Sequence, residues 1–377
     1  MRKIIIIFLI MTFIVIKPVK ALELASNSKS AILIDALTGE IMFEKNSHER
    51  LAPASMTKMM SMLLVLENIE AGVIKWDDIV TVSLNASSMG GSQILLEQGE
   101  EMSVKDLFKG VAVASGNDAI VALAETVAGT VDEFVNMMNK RAKELGLLDT
   151  NFKNPHGLTD ANHYSSAYDM ALIAKELSRH DEVFKYTSIY EDYLRENTKR
   201  KLWLVNTNKL VRFYKGVDGF KTGFTDEAGY CLTATANKGF RVIAVIMGEP
   251  TSEMRNKEVS EMLDYAYATY RLDSIIRKGE VLANEYVDAS KEGYAKIVAK
   301  EDVAILNKKI DANKNYSYNV ITDKLKAPLK IGDVVGRIDV LENGDIIKSV
   351  DLTVNKDISK ANIIKLYLRF LKNLLTI

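Results

Sequence analysis

The sequence predicts an α+β protein: a sheet with helices packed on it and a helical lobe, then a small all-β domain and a C-terminal amphipathic helix. Three observations carry this. Within 22–272 the first and last thirds hold strand-like segments and the middle third holds helical ones, so the strands meet across a helical insertion. Beyond about residue 273 the pattern changes to short apolar alternations among many charges. The final stretch, 362–377, is apolar apart from one polar stripe. At 377 residues the chain is long enough for two domains.

At the N-terminus Arg2 and Lys3 precede an apolar run over 4–16, and Val19-Lys20-Ala21 puts small residues at −3 and −1. That pattern predicts a signal peptide over 1–21, cleaved after Ala21, and export from the cytoplasm. The run is too short to span a bilayer comfortably, although an uncleaved anchor is the alternative. Cleavage removes four basic residues and no acidic ones, leaving 45 Lys+Arg against 50 Asp+Glu, a net charge of −5. An acidic balance of this kind points away from a nucleic-acid partner. The single cysteine, Cys231, lies in a strand-like run and reads as a buried inert thiol; it cannot close an internal disulfide.

After the leader, Ala31-Ile32-Leu33-Ile34-Asp35 and Glu40-Ile41-Met42-Phe43-Glu44 flank Ala36-Leu37-Thr38-Gly39, a β-hairpin pattern. A buried helix follows over 59–66. Ser103-Val104-Lys105-Asp106 and Thr130-Val131-Asp132-Glu133 read as capping boxes, and Gly146 ends the helix that the second one opens. From Tyr214 the pattern turns to strands, one ending at Lys221-Thr222-Gly223 and two more over 229–236 and 241–247. A closing helix is predicted over 251–272. The β-domain, 273–356, has its best element in 334–341 and 346–354, joined through Asn343-Gly344. In the tail unit, 357–377, Lys365, Arg369 and Lys372 share an arc of about 100° with other polar residues and the rest is apolar. Three cations spoil it as a membrane span. A basic stripe on an apolar helix suits an anionic membrane surface, each cation adding roughly 1 kcal/mol; docking onto its own domain is the alternative.

Three short words carry the chemistry: Ser55-Met56-Thr57-Lys58, Ser115-Gly116-Asn117 and Lys221-Thr222-Gly223. Second copies of two words exist, Ser26-Asn27-Ser28-Lys29 and Ser317-Tyr318-Asn319, and context separates them. Ser26 has no apolar run behind it, and Ser317 falls in a charged β-like region beyond the third word. Ser55 opens the buried helix, where Lys58 shares its face, so hydroxyl and amine can touch. Ser115-Gly116-Asn117 lies between two helical stretches and reads as a turn. A serine nucleophile needs a base at hydrogen-bond distance. His48, His156, His163 and His180 sit in no triad-like motif and G-x-S-x-G is absent, so Lys58 is the local candidate. It works only when neutral, which the positive end of its helix favours. No H-E-x-x-H occurs, and neither metal nor cofactor is implied.

These words in this order resemble the catalytic set of penicillin-binding proteins and class A β-lactamases. Asp35, Thr38-Gly39-Glu40, Pro53-Ala54-Ser55-Met56-Thr57-Lys58, Ala114-Ser115-Gly116-Asn117-Asp118-Ala119, His156-Gly157-Leu158, Ser165-Ser166-Ala167-Tyr168-Asp169 and Lys221-Thr222-Gly223-Phe224-Thr225 resemble signatures of the serine-type D-alanyl-D-alanine carboxypeptidases, the low-molecular-mass penicillin-binding proteins. The resemblance covers nearly the whole chain. It implies a serine β-lactamase/transpeptidase-like domain with an antiparallel sheet, and peptidoglycan pentapeptide stems and β-lactam antibiotics as partners. It implies Ser55 as nucleophile, Lys58 as base with Lys221 nearby, and Ser115 as proton donor to the leaving amine. Asn117 would bind the substrate's peptide carbonyl; Lys221, Thr222, Gly223 and Arg255 would hold the leaving carboxylate side. The oxyanion would lie between the backbone N–H groups of Ser55 and Phe224. Arg255 could equally be an exposed helix charge. His156-Gly157-Leu158 shapes a loop at the cleft edge, with no catalytic role expected for His156. Phe224 departs from relatives that carry His after K-T-G. A β-lactamase, an endopeptidase or transpeptidase, and a non-catalytic penicillin-binding sensor stay open as rivals; the lifetime of the acyl-enzyme separates the first.

Overall fold

The computed structural model describes residues 23–311 and 314–374, so the expected leader over 1–21 lies outside the described residues. The chain begins with the predicted hairpin, β1 (Ser30–Asp35) and β2 (Ile41–Lys45). Asp35 closes its turn by accepting hydrogen bonds from Leu37 N, Thr38 N and Thr38 Oγ1. A 3-10 turn, Ala54–Thr57, runs directly into α1 (Lys58–Glu70). Residues 58–66 of α1 are all buried, in keeping with an apolar run over 59–66 that Ser61 alone interrupts; the polar residues Glu67, Asn68 and Glu70 come only in its last turn. The helical lobe follows: the ribbon of β3 (Ile79–Thr81) and β4 (Glu101–Ser103) with the short α2 (Leu84–Ser87) between them, then α3 (Val104–Ala114), α4 (Asn117–Ala128), α5 (Val131–Glu144) and α6 (Ala167–Leu177). Ser103, Thr130 and Ser166 cap α3, α5 and α6 by accepting from the N–H three residues on, as the sequence predicts for the first two. The turn α7 (Phe184–Thr187), the ribbon of β5 (Glu191–Leu194) and β6 (Leu202–Val205), and α8 (Leu210–Phe213) lead back to the sheet.

There β7 (Val217–Thr225), β8 (Gly229–Asn237) and β9 (Arg241–Glu249) complete an antiparallel five-stranded sheet in the order β2-β1-β9-β8-β7. Lys221-Thr222-Gly223 does not end its strand, because Phe224 and Thr225 still pair with Tyr230 and Gly229. Side chains alternate across the sheet into two cores. Ile32, Cys231, Ile243 and Val245 pack against the lobe. Leu33, Leu232, Ala234 and Ile246 pack against Val259, Met262 and Leu263 of α9 (Ser252–Thr269). This closing helix stops three residues short of the predicted 272. Its apolar stripe ends at Ala266, and Tyr270–Ile276 forms β10, which pairs with β13. The remaining strands are β11 (Val281–Asp288), β12 (Tyr294–Ala299), β13 (Val303–Lys308), β14 (Tyr316–Thr322), β15 (Leu325–Lys326), β16 (Gly336–Glu342) and β17 (Asp345–Val354). Six of them form a sheet in the order β14-β16-β17-β12-β11-β15 around a core of their own. Asn343 and Gly344, with φ of 54° and 97°, make the tight β16–β17 turn that the Asn-Gly pair predicts.

The tail helix is α10 (Ile363–Leu374). Arg369 is turned toward the β-domain: its Nη2 donates to the carbonyls of Ser290 and Lys291 at 2.8 and 3.2 Å. Ile363, Ile364, Tyr367 and Leu368 are exposed. One of the three cations expected to meet lipid therefore clamps the helix to its own domain, and an apolar side faces out. Among the described residues no helix is long and apolar enough to cross a membrane.

Candidate active site

Three pieces of main chain bring the site together: the turn before α1, the α3–α4 junction and the edge strand β7. Lys58, the first residue of α1, is fully buried, and its Nζ lies 3.0 Å from Ser55 Oγ, 2.6 Å from Asn117 Oδ1 and 2.7 Å from His156 O. All three are oxygens to which Nζ can donate; with one proton lost, two N–H bonds would remain for the amide and carbonyl oxygens and a lone pair for the hydroxyl. No carboxylate is paired with it among the described residues. Burial holds the Lys58 amine well below its usual range; the charge of Lys221 adds to this and Asp118 opposes it. Burial is thus the leading cause, where the sequence pointed to the helix end and Lys221.

Lys221 is also fully buried, donates to Thr222 O at 3.2 Å, and is brought down to about 7 by burial and by Arg255. Gly223 explains how β7 reaches the nucleophile: a Cβ there would stand 2.8 Å from Pro53 O, 3.1 Å from Ala54 Cβ and 3.3 Å from Ser55 N. Thr222 Oγ1 donates to Thr207 Oγ1 at 2.8 Å. Thr251 caps α9, and Arg255 in its first turns is only 6% exposed, held by Asn256 Oδ1 at 3.1 and 2.9 Å. It is not a solvent-facing helix charge. Burial lowers its guanidinium pKa, and Cys231, Tyr230 and Glu253 oppose that shift.

Ser115 ends α3 in a left-handed conformation, φ 63°, and its buried Oγ has no partner among the described residues. Asn117 then begins α4; its amide holds Lys58 on one side and Gly90 O at 2.7 Å on the other. It has one N–H left for a substrate carbonyl. Its first contact is with the base, a role the motif alone did not reveal. Asp118 accepts from Ile94 N and Leu96 N at 3.0 Å each and so pins the loop bordering Asn117.

Sequence reasoning missed the carbonyl of His156 as a ligand of Lys58, and Gly157 as its support. With φ 86°, Gly157 lies so close to the nucleophile turn that a Cβ would sit 1.8 Å from Ala54 O. The signal available was Asn154-Pro155-His156-Gly157, a turn pattern whose side chains name no role. The histidines stay out of the chemistry: burial takes His156 down to about 3 and His163 to about 4, and none of the four bonds Ser55. Burial pushes the Cys231 thiol up to about 11, as suits an inert group. Ser26 bonds Glu258, and Ser317 and Asn319 pair within the β-domain, so the second copies stand apart from the site. Among the described residues no three His, Cys, Asp or Glu side chains converge as a metal site.

A buried amine held well below its usual pKa and set against a serine hydroxyl, beside a lysine-bearing strand edge, is equipment for acyl transfer. Residues 17–251 match the family described as D-alanyl-D-alanine carboxypeptidase, and 270–360 match the C-terminal domain of penicillin-binding protein 5. The chain belongs to the D-alanyl-D-alanine carboxypeptidase family. It is 51% identical over 318 residues to the D-alanyl-D-alanine carboxypeptidase DacF of Bacillus subtilis, covering 84% of this chain and 82% of that protein. Penicillin-binding protein 5 from Haemophilus influenzae superposes with a TM-score of 0.72 at 34% identity, covering 90% of this chain and 98% of that one. Penicillin-binding protein D2 from Listeria monocytogenes, solved in a cefotaxime-bound form, gives a TM-score of 0.57 at 32% identity over 63% of this chain and 96% of its own. The family fold is this one: a catalytic unit of sheet and helices followed by a small all-β domain.

Proposed function

We propose that this chain is a serine D-alanyl-D-alanine carboxypeptidase that trims the terminal D-alanine from peptidoglycan pentapeptides through an acyl-enzyme on Ser55. The observation that carries it is the Lys58 amine, buried, without a paired carboxylate among the described residues and 3.0 Å from the Ser55 hydroxyl. Lys58 takes the Ser55 proton as Oγ attacks the carbonyl between the two D-alanines. The backbone N–H groups of Ser55 and Phe224 receive the oxyanion, each such donor being worth about 10²–10³ in rate. Ser115, whose hydroxyl has no partner among the described residues, passes its proton to the departing amine and is resupplied with the proton that Lys58 took from Ser55, which returns Lys58 to its basic form. Lys221, Thr222 and Arg255 hold the free carboxylate of the leaving residue, with Gly223 allowing the strand's close approach. Asn117 steadies Lys58 and offers its remaining N–H to the substrate. Water then hydrolyses the ester. β-Lactams acylate the same serine; the cefotaxime-bound relative supports this.

The test is release of D-alanine from a peptide ending in D-Ala-D-Ala, with fluorescent penicillin labelling in parallel. Wild type is expected to do both and Ser55→Ala neither. Equal release from the two proteins would overturn the assignment.

The working arrangement proposed is an exported enzyme on the outer face of the cytoplasmic membrane. Its leader over 1–21 is removed, 22–272 performs catalysis, 273–356 is a spacer and 357–377 rests on anionic lipid. The exposed apolar side chains of α10 support the last element. Flotation with phosphatidylglycerol vesicles measures it: the mature chain should float, and a chain ending at 356 should not. Equal flotation of both rules out the tail as anchor.

A further inference from the structure

Phe224 is half exposed at the lip of the site, an unusual place for a phenylalanine, and it is not loose. Tyr230 lies opposite it on β8, and the two rings stack at 4.4 Å with a 34° tilt. Side chains alternate along a strand, so Thr222 and Phe224 point to one side of β7 while Lys221 and Gly223 point to the other. The Gly223 side faces the Ser55 turn. The Thr222 side is the α9 side: Leu232, cross-strand from Thr222, packs with Val259 and Met262. Arg255 stands in the first turns of α9, which packs on β8, and its charge is felt at Lys221. Thr222, Phe224 and Tyr230 therefore share the face of β7 and β8 on which α9, the helix that carries Arg255, packs.

In the proposed reaction Thr222 and Arg255 grip the carboxylate of the departing residue. Phe224 stands two residues further along the strand from Thr222, about 7 Å on, a distance at which its ring could meet the side chain of a residue whose carboxylate is held at Thr222. We infer that Phe224, backed by Tyr230, is a specificity-determining residue: a rigid aromatic wall that fits a methyl group and excludes larger leaving groups. The wall carries no charge and is braced from behind, so a bulky or branched departing residue meets steric refusal with no compensating contact. Such a wall favours trimming a free terminal D-alanine over cutting a cross-link, whose departing amine belongs to a whole second peptide.

This inference rests on the carboxypeptidase reading, and the experiment keeps the two apart. Wild type, Phe224→Ala and Tyr230→Ala are each given one peptide ending in D-Ala-D-Ala and one ending in D-Ala-D-Leu. The quantity read is the ratio of kcat/KM for the two within each protein, so a general loss of rate cancels. Phe224→Ala should shift the ratio about tenfold toward D-leucine, the order of discrimination an apolar wall gives. Tyr230→Ala should move it the same way by less, because Phe224 remains but loses its brace. Unchanged ratios in both variants, with D-alanine still released, would overturn the wall and leave the carboxypeptidase standing. No D-alanine from wild type would overturn the underlying assignment and the wall with it.

Discussion

Gly157→Ala tests how tightly the catalytic turn is gripped from outside. The added Cβ would start 1.8 Å from Ala54 O and 2.4 Å from Ala54 C, both backbone atoms with no rotamer to turn away. Clearing the 3.0 Å below which such carbons do not approach requires a retreat of about 1.2 Å. One side of that contact is the peptide preceding Ser55, and the other carries the His156 carbonyl that holds Lys58. Either way, nucleophile and base separate by a large fraction of their 3.0 Å contact. A misplacement of about 1 Å costs on the order of 10²-fold in rate. The φ of 86° adds about 1–3 kcal/mol of backbone strain for any residue with a side chain. The assay is the rate of acylation by fluorescent penicillin, with thermal unfolding measured on the same preparation. The variant should acylate about 100-fold more slowly and melt several degrees lower. Acylation within threefold of wild type at an unchanged Tm would refute the claim that this loop presses on the turn.

Replacing Lys58 by Arg should lower acylation by at least 10²-fold, the usual contribution of a positioned base, since a guanidinium stays charged and cannot accept the Ser55 proton; a variant within tenfold of wild type would refute the neutral-amine mechanism. Because burial depresses the Lys58 pKa, the base is competent above its folded-state pKa. The acylation rate should accordingly be held at alkaline pH and fall as pH drops through that value; a rate that rises on acidification would contradict it. Glu249, buried against Glu258, is pushed up from 4.5 to about 8 by burial first and by that carboxylate second. The stability its proton supports is complete below 4.5 and is lost as pH rises through 8, at about 1.4 kcal/mol per unit. Glu249→Gln, uncharged at every pH, should raise Tm at pH 8–9 with little change at pH 5; equal Tm differences at both would sink the claim that this carboxyl is held protonated.

Much of the fold was legible because the relevant signals are local. Ser103 and Thr130 announce their helices through hydrogen bonds to N–H groups three residues away, and Asn343-Gly344 announces a hairpin through backbone freedom. The proximity of Ser55 to Lys58 is likewise written in a spacing of three. What was not legible depends on atoms every residue has. The His156 carbonyl is chosen by tertiary position and not by its side chain, and a glycine is visible in a sequence while the Ala54 oxygen pressed against it is not. The closing helix was read three residues too long because Tyr270 and Leu272 continue its apolar pattern, yet β13 captures them as a strand. Arg369 belongs to the polar stripe by periodicity, but periodicity says nothing of the two carbonyls on the β-domain that claim it.

Ser115 is a non-glycine residue in left-handed backbone with a buried hydroxyl that nothing among the described residues accepts or satisfies. Glycine would relax the main chain there and remove the stranded polar atom, at the expense of the group proposed to carry a proton. Natural drift toward a sturdier molecule and selection for a working one therefore pull this position in opposite directions. A homologue that had given up turnover while keeping its shape would be expected to show its first change at this junction.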